Sequence, residues 1–432
     1  LATMLREELE RAGHESITWF DLASMKLAYC QGEFDCWVTT PGRCRSEDAE
    51  QDIIAAVQKA SAVVMVDPVT FGGHGYTLKR AVDRLICLLS PFFEKRAQLT
   101  HHGHRYEHHA SLFFLGFQGE PDAEQERTFQ DLADANALNL LAPRVGVAVV
   151  HGSPGDAWAT AIRGMLASTA VPGASIESRE QLREELMESA QALPLPDAPA
   201  PKRVAFLIGS AKPRGTSTSE QIARAFAAPF EERGAMIEFH FANEFVRDSE
   251  PARRGAKAIA EADLFVLVSP LYVDALPALA THALELVARA RSRETRPARM
   301  AAVLNCGFPE AEHNRSALRI ARHFAEATGH GWAGGLPLGG GGAITGRSLE
   351  DPGGPAIHVA QALELAALAL ASGKVIPVEA IERMAQAPMP DMLYRLLGDL
   401  GWRLQAYQHG LPQRALLKRP LEEQKPHPDP RS

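Results

Sequence analysis

The chain repeats itself. A helical pattern over residues 1–13 that closes on Gly13 recurs over residues 222–234, closing on Gly234, an offset of 221. An apolar run over 62–68 that ends in Pro68 recurs over 263–270, ending in Pro270, an offset of 202. The next run, 112–116, pairs with 301–305. In both halves short apolar runs alternate with helical periodicity, the pattern of a doubly wound parallel sheet. A repeat on this scale predicts two duplicated domains rather than a solenoid.

The change of offset locates two differences between the halves. The first carries 19 extra residues between Gly13 and Pro68, around residues 30–48. It also lacks a counterpart of residues 204–221, the first strand of the second half and the loop after it. Leu1, Met4, Leu5, Leu9 and Ala12 fall at helical spacing with no capping residue before them, so a further upstream segment is expected. A proline-rich stretch, LPLPDAPAP, favours an extended linker. The expected organisation is a first domain over 1–192, a linker over 193–202, a second domain with C-terminal helices over 203–418, and a disordered tail over 419–432.

Composition excludes several classes. With 46% hydrophobic and 23% charged residues, the 432-residue chain is globular. A net charge of −8 argues against a nucleic-acid partner held by phosphate contacts. Five cysteines are too few for a disulfide scaffold and fit a reduced, cytoplasmic setting. The most apolar helical stretch, 357–371, carries Glu364 and falls short of the ~20 residues of a membrane span.

The second half holds a candidate anion site. The apolar run 204–208 leads into Gly-Ser-Ala-Lys-Pro-Arg-Gly-Thr-Ser-Thr-Ser over 209–219, and a helix begins at Glu220. Strand, hydroxyl-rich loop and helix start together aim free N–H groups and the helix dipole at one place. Ser and Thr hydroxyls add donors, and Lys212 or Arg214 adds charge. Neither the G-x-G-x-x-G pattern nor the Walker sequence is present, which disfavours dinucleotide and ATP sites. The alternative is a polar turn capped by Ser or Thr. A second loop, Ser-Pro-Leu-Tyr-Val-Asp-Ala-Leu-Pro over 269–277, suits the wall of a flat heterocycle at a strand's carboxyl end.

On these residues the chain resembles the flavodoxin-like NADPH-dependent FMN reductase family. Gly209, Ser210, Lys212 and Ser217 to Ser219 match its phosphate loop, and Pro270, Tyr272 and Pro277 its ring loop. Ala280, Thr281 and Glu285 depart from the family's Leu, Lys and Asp, whereas Pro68, Phe71, Gly72, Leu78, Lys79, Asp83 and Arg84 of the first half match more fully. Residues 34–44 also resemble a family signature, between the second strand and the second helix. The resemblance implies two tandem flavodoxin-like domains with sheet order 2-1-3-4-5, the first incomplete at its N-terminus. It implies that Ser210, Lys212, Thr216, Ser217, Thr218 and Ser219 hold the FMN phosphate. Pro270, Leu271, Tyr272 and Val273 would line the isoalloxazine, with Asn305, Cys306 and Gly307 as a third loop. The implied function is transfer of a hydride from NADPH or NADH to FMN, and of electrons onward to a small acceptor; the cofactor carries that chemistry, so no acid–base residue is nominated. Reduction of quinones or azo compounds is one alternative, and a scaffold with degenerate flavin sites another. Because family members dimerise, the tandem is expected to form a pseudo-dimer within one chain, or a homo-oligomer.

Four further clusters draw bland expectations. Cys30, Cys36 and Cys44, with Glu33 where a relative's cluster would place a cysteine, read as shielded free thiols. His101, His102, His104, His108 and His109 match no zinc spacing and read as a solvated loop. Cys306 reads as a small loop hydrophobe. Six glycines within 334–342 permit either a close backbone approach or a flexible turn. The apolar residues Met392, Leu393, Leu396, Leu397 and Leu400 are expected to pack on the second domain or a partner.

Overall fold

A computed structural model describes residues 1–14, 16–291, 297–344, 349 and 356–422. The first domain opens with α1 (Ala2–Arg11) and α2 (Glu50–Lys59), then β1 (Ala62–Thr70) and α3 (Tyr76–Arg84). An antiparallel hairpin follows, β2 (Leu89–Arg96) and β3 (Leu99–His104). β4 (Ser111–Gln118), α4 (Ala123–Asn139), β5 (Val145–His151) and α5 (Asp156–Leu166) follow, and α6 (Arg179–Ala190) then packs on the second domain, where Leu186 and Ala190 join its core. β1, β4 and β5 form a parallel sheet.

The second domain runs β6 (Arg203–Ile208), α7 (Thr218–Glu231), β7 (Met236–Phe241), α8 (Glu250–Ala260), β8 (Leu264–Pro270), α9 (Ala278–Ala290), β9 (Ala298–Asn305), α10 (Arg315–Ala327) and β10 (His330–Leu338). Its five strands are all parallel, in the spatial order β7-β6-β8-β9-β10. That is the flavodoxin-like order 2-1-3-4-5. Val204 to Ile208 are buried along their whole length, as a central strand covered on both faces by helices must be.

The first domain departs from the expected order. Among the described residues its sheet holds the third, fourth and fifth positions, with Gly73–His74 as a short antiparallel strand beside the end of β1, and residues 16–34 form no strand. The physical reason is visible in its sister: β7, at the second position, hydrogen-bonds only to β6 at the first. The described residues of the first domain hold no counterpart of β6 beside β1. The edge of β1 along Ala62 to Asp67 is left open, beside a cavity of about 1400 Å³. Leu5, Leu9, Phe20, Ile53 and Tyr76 line it from the first domain, and Glu285 and Arg289 from the second.

The domains pack on each other through corresponding helices, α3 on α9 and α4 on α10. The contact is reciprocal in detail. The Ala278 N–H at the start of α9 donates to the Asp83 carboxylate at 2.8 Å, and the Tyr76 N–H at the start of α3 donates to the Glu285 carboxylate at 3.1 Å. Both pairs of positions are related by the 202-residue offset. Glu285, a departure from the family's Asp, therefore keeps its carboxylate at the helix start facing it.

The linker is pinned to the second domain. Leu193 N–H donates to Trp332 O and Ala198 N–H to Gly373 O, so the proline-rich stretch runs beside β10 at the sheet's edge. After it come α11 (Ile357–Ala371), α12 (Val378–Met384) and α13 (Asp391–Gln408). α11 packs on α7 and α12 on β10, but α13 crosses to the first domain and lies on β2. Arg105 donates to the carbonyls of Leu416 and Lys418, and Leu421 is buried under Tyr106, so 419–422 are packed. The remainder of the expected tail, 423–432, lies outside the described residues. No helix among the described residues is long and apolar enough to cross a membrane.

Part of the histidine cluster departs from the expected solvated loop, while His104 and His108 are exposed and residues 108–110 form no helix or strand. His101, His102 and His104 sit on β3, with His101 buried and His102 between Trp37 and Phe308. Among the described residues no His, Cys, Asp and Glu group is placed to hold a metal. The five cysteines are free, and Cys36, Cys87 and Cys306 are buried. Nor do the leucines of α13 pack on the second domain: Met392, Leu393, Leu396, Leu397 and Leu400 are all exposed.

Candidate functional site

Three loops at the carboxyl ends of β6, β8 and β9 meet in the second domain. The first is 209–217. Ser217 caps α7, its hydroxyl accepting from Glu220 N at 3.2 Å. That leaves the N–H groups of Thr218 and Ser219, the first two helical residues, without intrahelical partners and beside the positive end of the dipole. Ser210 Oγ accepts from Lys212 N at 3.2 Å, and Thr216 Oγ1 donates to Pro213 O at 2.6 Å. Ser210, Ser217 and Ser219 are buried, Lys212 and Thr218 half-buried, and Thr216 exposed.

The two cations of this loop differ. Arg214 is ion-paired with Glu244 and stacked 4.3 Å over the Phe241 ring. The Lys212 ammonium has no ion-pair partner among the described residues. Buried Glu220 supports the loop from below, accepting from Gly215 N and from Arg224. Gly215 has φ +81°, which its lack of a Cβ allows.

Asn305 joins the loops. Its Nδ2 donates to Ser219 Oγ at 3.0 Å and to Ser269 O at 3.0 Å, and its carbonyl accepts from Leu271 N at 2.9 Å. The phosphate loop, the ring loop and the third loop are thus tied at one side chain. The ring loop itself is a tight turn, with Tyr272 and Ala275 exchanging backbone hydrogen bonds at 2.9 and 3.2 Å. Val273 and Asp274 both have positive φ, 45° and 59°, a conformation that non-glycine residues hold only when the surroundings enforce it.

The enforcing contacts come from the first domain. Lys79 Nζ donates to Tyr272 O at 2.6 Å and Asn136 Nδ2 to Val273 O at 3.0 Å, and Asn139 Nδ2 donates to the Asp274 carboxylate. Lys79 is also ion-paired with Asp83, both side chains buried. The Tyr272 ring points into the first domain at Gly32, where a Cβ would lie 1.9 Å from its hydroxyl. Burial pushes that phenol well above its ordinary pKa. The arrangement has a twin: Phe71 and Gly72, at the same offset of 202, also have positive φ, and Phe71 packs edge-on against Phe324 of α10.

The third loop is partly covered, with Cys306 buried and Gly307 exposed. Cys306 Sγ donates to the carbonyls of Phe308 and Glu310, and burial pushes the thiol up to about 12, so it is a poor nucleophile. Gly307 O accepts from the Tyr394 hydroxyl of α13 at 2.6 Å. The glycine-rich stretch makes a close approach to this loop. Gly340 and Gly341 donate to Phe308 O and Cys306 O, and a Cβ on Gly339 would meet Pro309 O at 2.2 Å.

Beside Asp274 lies a buried polar chain. His101 Nδ1 is 2.7 Å from Asn139 Oδ1, and His313 stands 3.7 Å from Asp274 and 3.9 Å from Glu310. Thr100 Oγ1 donates to Glu310 at 2.8 Å. Burial, reinforced by His313 nearby, pushes His101 down to about 3. Burial opposes ionisation of Asp274, but His313 and Asn139 outweigh it and hold the carboxyl below its usual range. Lys79, Asn136, Asn139 and Asp274 were not singled out as site residues from sequence. The signal that could have found the domain contact was the pair of carboxylates Asp83 and Glu285 at one offset.

Residues 1–114 and 202–328 match the family profile described as NADPH-dependent FMN reductase. No curated protein sequence matches the chain. Similar solved structures include an NAD(P)H:quinone oxidoreductase from Methanothermobacter marburgensis, at 17% identity over 40% of this chain and 96% of that one, TM-score 0.30. An azoreductase from Bacillus anthracis is similar at 14% identity over 40% and 97%, TM-score 0.27. A flavoenzyme NAD(P)H:(acceptor) oxidoreductase from Paracoccus denitrificans is similar at 14% identity over 48% and 98%, TM-score 0.27.

Proposed function

This chain belongs to the NADPH-dependent FMN reductase family, and on that premise we propose that its second domain carries the working FMN site and passes electrons to a small-molecule acceptor. The observation that carries the reading is Asn305, which gathers the phosphate loop and the ring loop of the same domain at hydrogen-bond distance. The residues present fit the group at its phosphate end. Thr218 and Ser219 N–H and the Lys212 ammonium are the donors and charge that a dianion needs.

In this reading Ser210, Thr216, Ser217 and Ser219 hold the loop's shape through their own hydrogen bonds, and Lys212 and Thr218 face the phosphate. The backbone of Pro270, Leu271, Tyr272 and Val273 faces the ring, fixed by Lys79 and Asn136. Asn305 and Gly307 close the third side, and Cys306 packs beneath them. FMN supplies the hydride chemistry when bound, taking a hydride from NADPH or NADH. The chain's part is to seat the phosphate and hold the ring loop in its left-handed turn. Quinones and azo compounds are the acceptor classes we put forward, and the setting is cytoplasmic.

The test is FMN content per chain, with the visible spectrum. One FMN per chain is expected, and Ser217→Ala with Ser219→Ala should weaken binding by at least ~10-fold, about 1.4 kcal/mol. Two FMN per chain would assign a second site to the first domain. No binding with excess FMN would favour the scaffold reading instead.

A further inference from the structure

The last α-helix among the described residues, α13, carries an apolar face that none of them covers. Among the described residues fifteen large apolar side chains are exposed, and seven of them lie on this one helix. Met392, Leu396 and Leu400 are 76%, 58% and 55% exposed, and Leu393, Leu397, Leu404 and Tyr407 complete the stripe. The opposite face explains why the helix is held in place. Tyr394 reaches Gly307, Asp399 accepts from Phe93 N at 3.1 Å, and Trp402 packs edge-on against Trp37. Gly398 admits the Phe93 ring, which a Cβ there would meet at 2.3 Å. The stripe is therefore presented outward by a helix anchored on its other side.

The spacing says what fits it. Leu393, Leu397, Leu400, Leu404 and Tyr407 follow one another at four, three, four and three residues, the seam of a heptad repeat. Such a seam packs knobs into holes against another helix bearing the same seam. We infer that α13 is a self-association surface: two copies of this chain join by pairing their α13 helices across a two-fold axis.

Area supports a second copy as the occupant. Seven side chains at these exposures present roughly 800 Å², about what each partner contributes to a stable interface. A two-fold contact makes one patch serve both sides and closes without leaving a sticky edge. The chain's own residues 423–432 carry no large apolar side chain and cannot supply the partner seam. A lipid surface fits less well, because interfacial helices carry free Lys and Arg beside the apolar face. Here Arg403, at the stripe's edge, is turned over the Phe92 ring and donates to Gln413.

The experiment is sedimentation equilibrium of the full chain across the micromolar range. The expected mass approaches twice 46.9 kDa. Leu400→Glu should return the mass to 46.9 kDa and raise the dissociation constant at least ~100-fold, with the circular-dichroism spectrum unchanged. If that variant misfolds, Leu397→Gln with Leu404→Gln puts uncharged polar groups in the same seam and should give the same loss. Val171→Glu, an exposed apolar residue elsewhere, should leave the dimer intact. A wild-type chain of 46.9 kDa at every concentration would overturn the inference, as would a dimer that survives both seam variants. Monomeric wild type that binds phosphatidylglycerol vesicles and loses them with Leu400→Glu would assign the face to lipid instead.

Discussion

Glu50 is buried on α2, and neither of its carboxylate oxygens has a hydrogen-bond partner among the described residues. Burial pushes its pKa up to about 8, with Arg84 only partly opposing. In the unfolded chain it returns to the ordinary carboxylate value near 4.3. Between those two values the folded state holds a proton that the unfolded state has released, so stability falls as pH rises through the window. Glu50→Gln removes the titration. It should be near neutral at about pH 3, where the glutamate is protonated in both states, and stabilising by a few kcal/mol above about pH 8. Urea denaturation at the two pH values measures it, and an equal effect at both would refute the assignment. Single residues of this kind are hard to see in sequence. The first turn of α2 reads simply as acidic, and only the packing of α2 beside Arg84 buries this member of it. Cys306 was easier, because a lone thiol between Asn and Gly in a loop has no base beside it.

Between elements, the reciprocal caps of α3 and α9 rest on two carboxylates with unequal surroundings. Asp83 is ion-paired with Lys79 as well as capping Ala278, whereas Glu285 caps Tyr76 and meets Arg289 at the half-exposed rim. Asp83→Ala strands a buried lysine and should cost roughly 3–5 kcal/mol. Glu285→Ala should cost only the cap, about 1–2 kcal/mol. Thermal melts of the two variants give the ranking, and equal losses would mean that the Lys79 pair contributes nothing. The elements most legible in the sequence were those with strand, loop and helix in close order: β6, β8, β9 and the helices after them. The β2–β3 hairpin was not legible, because Thr100-His-His-Gly-His shows no apolar alternation although His101 and His102 point inward. The missing second strand of the first domain was equally hidden. In the second domain the corresponding β7 pairs only with β6, a contact that no sequence pattern in residues 16–34 reports on.

In the whole molecule, the second domain's ring loop is held by the first domain. Val273 and Asp274 sit in a left-handed turn that costs of order 1–3 kcal/mol at each residue unless the surroundings fix it. Asn136, 137 residues earlier in the chain, supplies one of the fixing hydrogen bonds. No sequence pattern marks that pair, which only the packing of α3 on α9 and α4 on α10 brings together. If the first domain positions the ring loop, Asn136→Ala should weaken flavin binding by roughly 10-fold, about 1.4 kcal/mol, without touching a residue of the loop. The phosphate end is independent of Asn136. Riboflavin, which has no phosphate, should therefore lose affinity for this variant by the same factor as FMN. Ser219→Ala disturbs the phosphate loop and should weaken FMN while leaving riboflavin nearly unchanged. Titration calorimetry of both ligands against both variants separates the two ends of the site. Equal FMN affinity in wild type and Asn136→Ala would mean that the ring loop holds its turn alone, and that the first domain only buttresses the second.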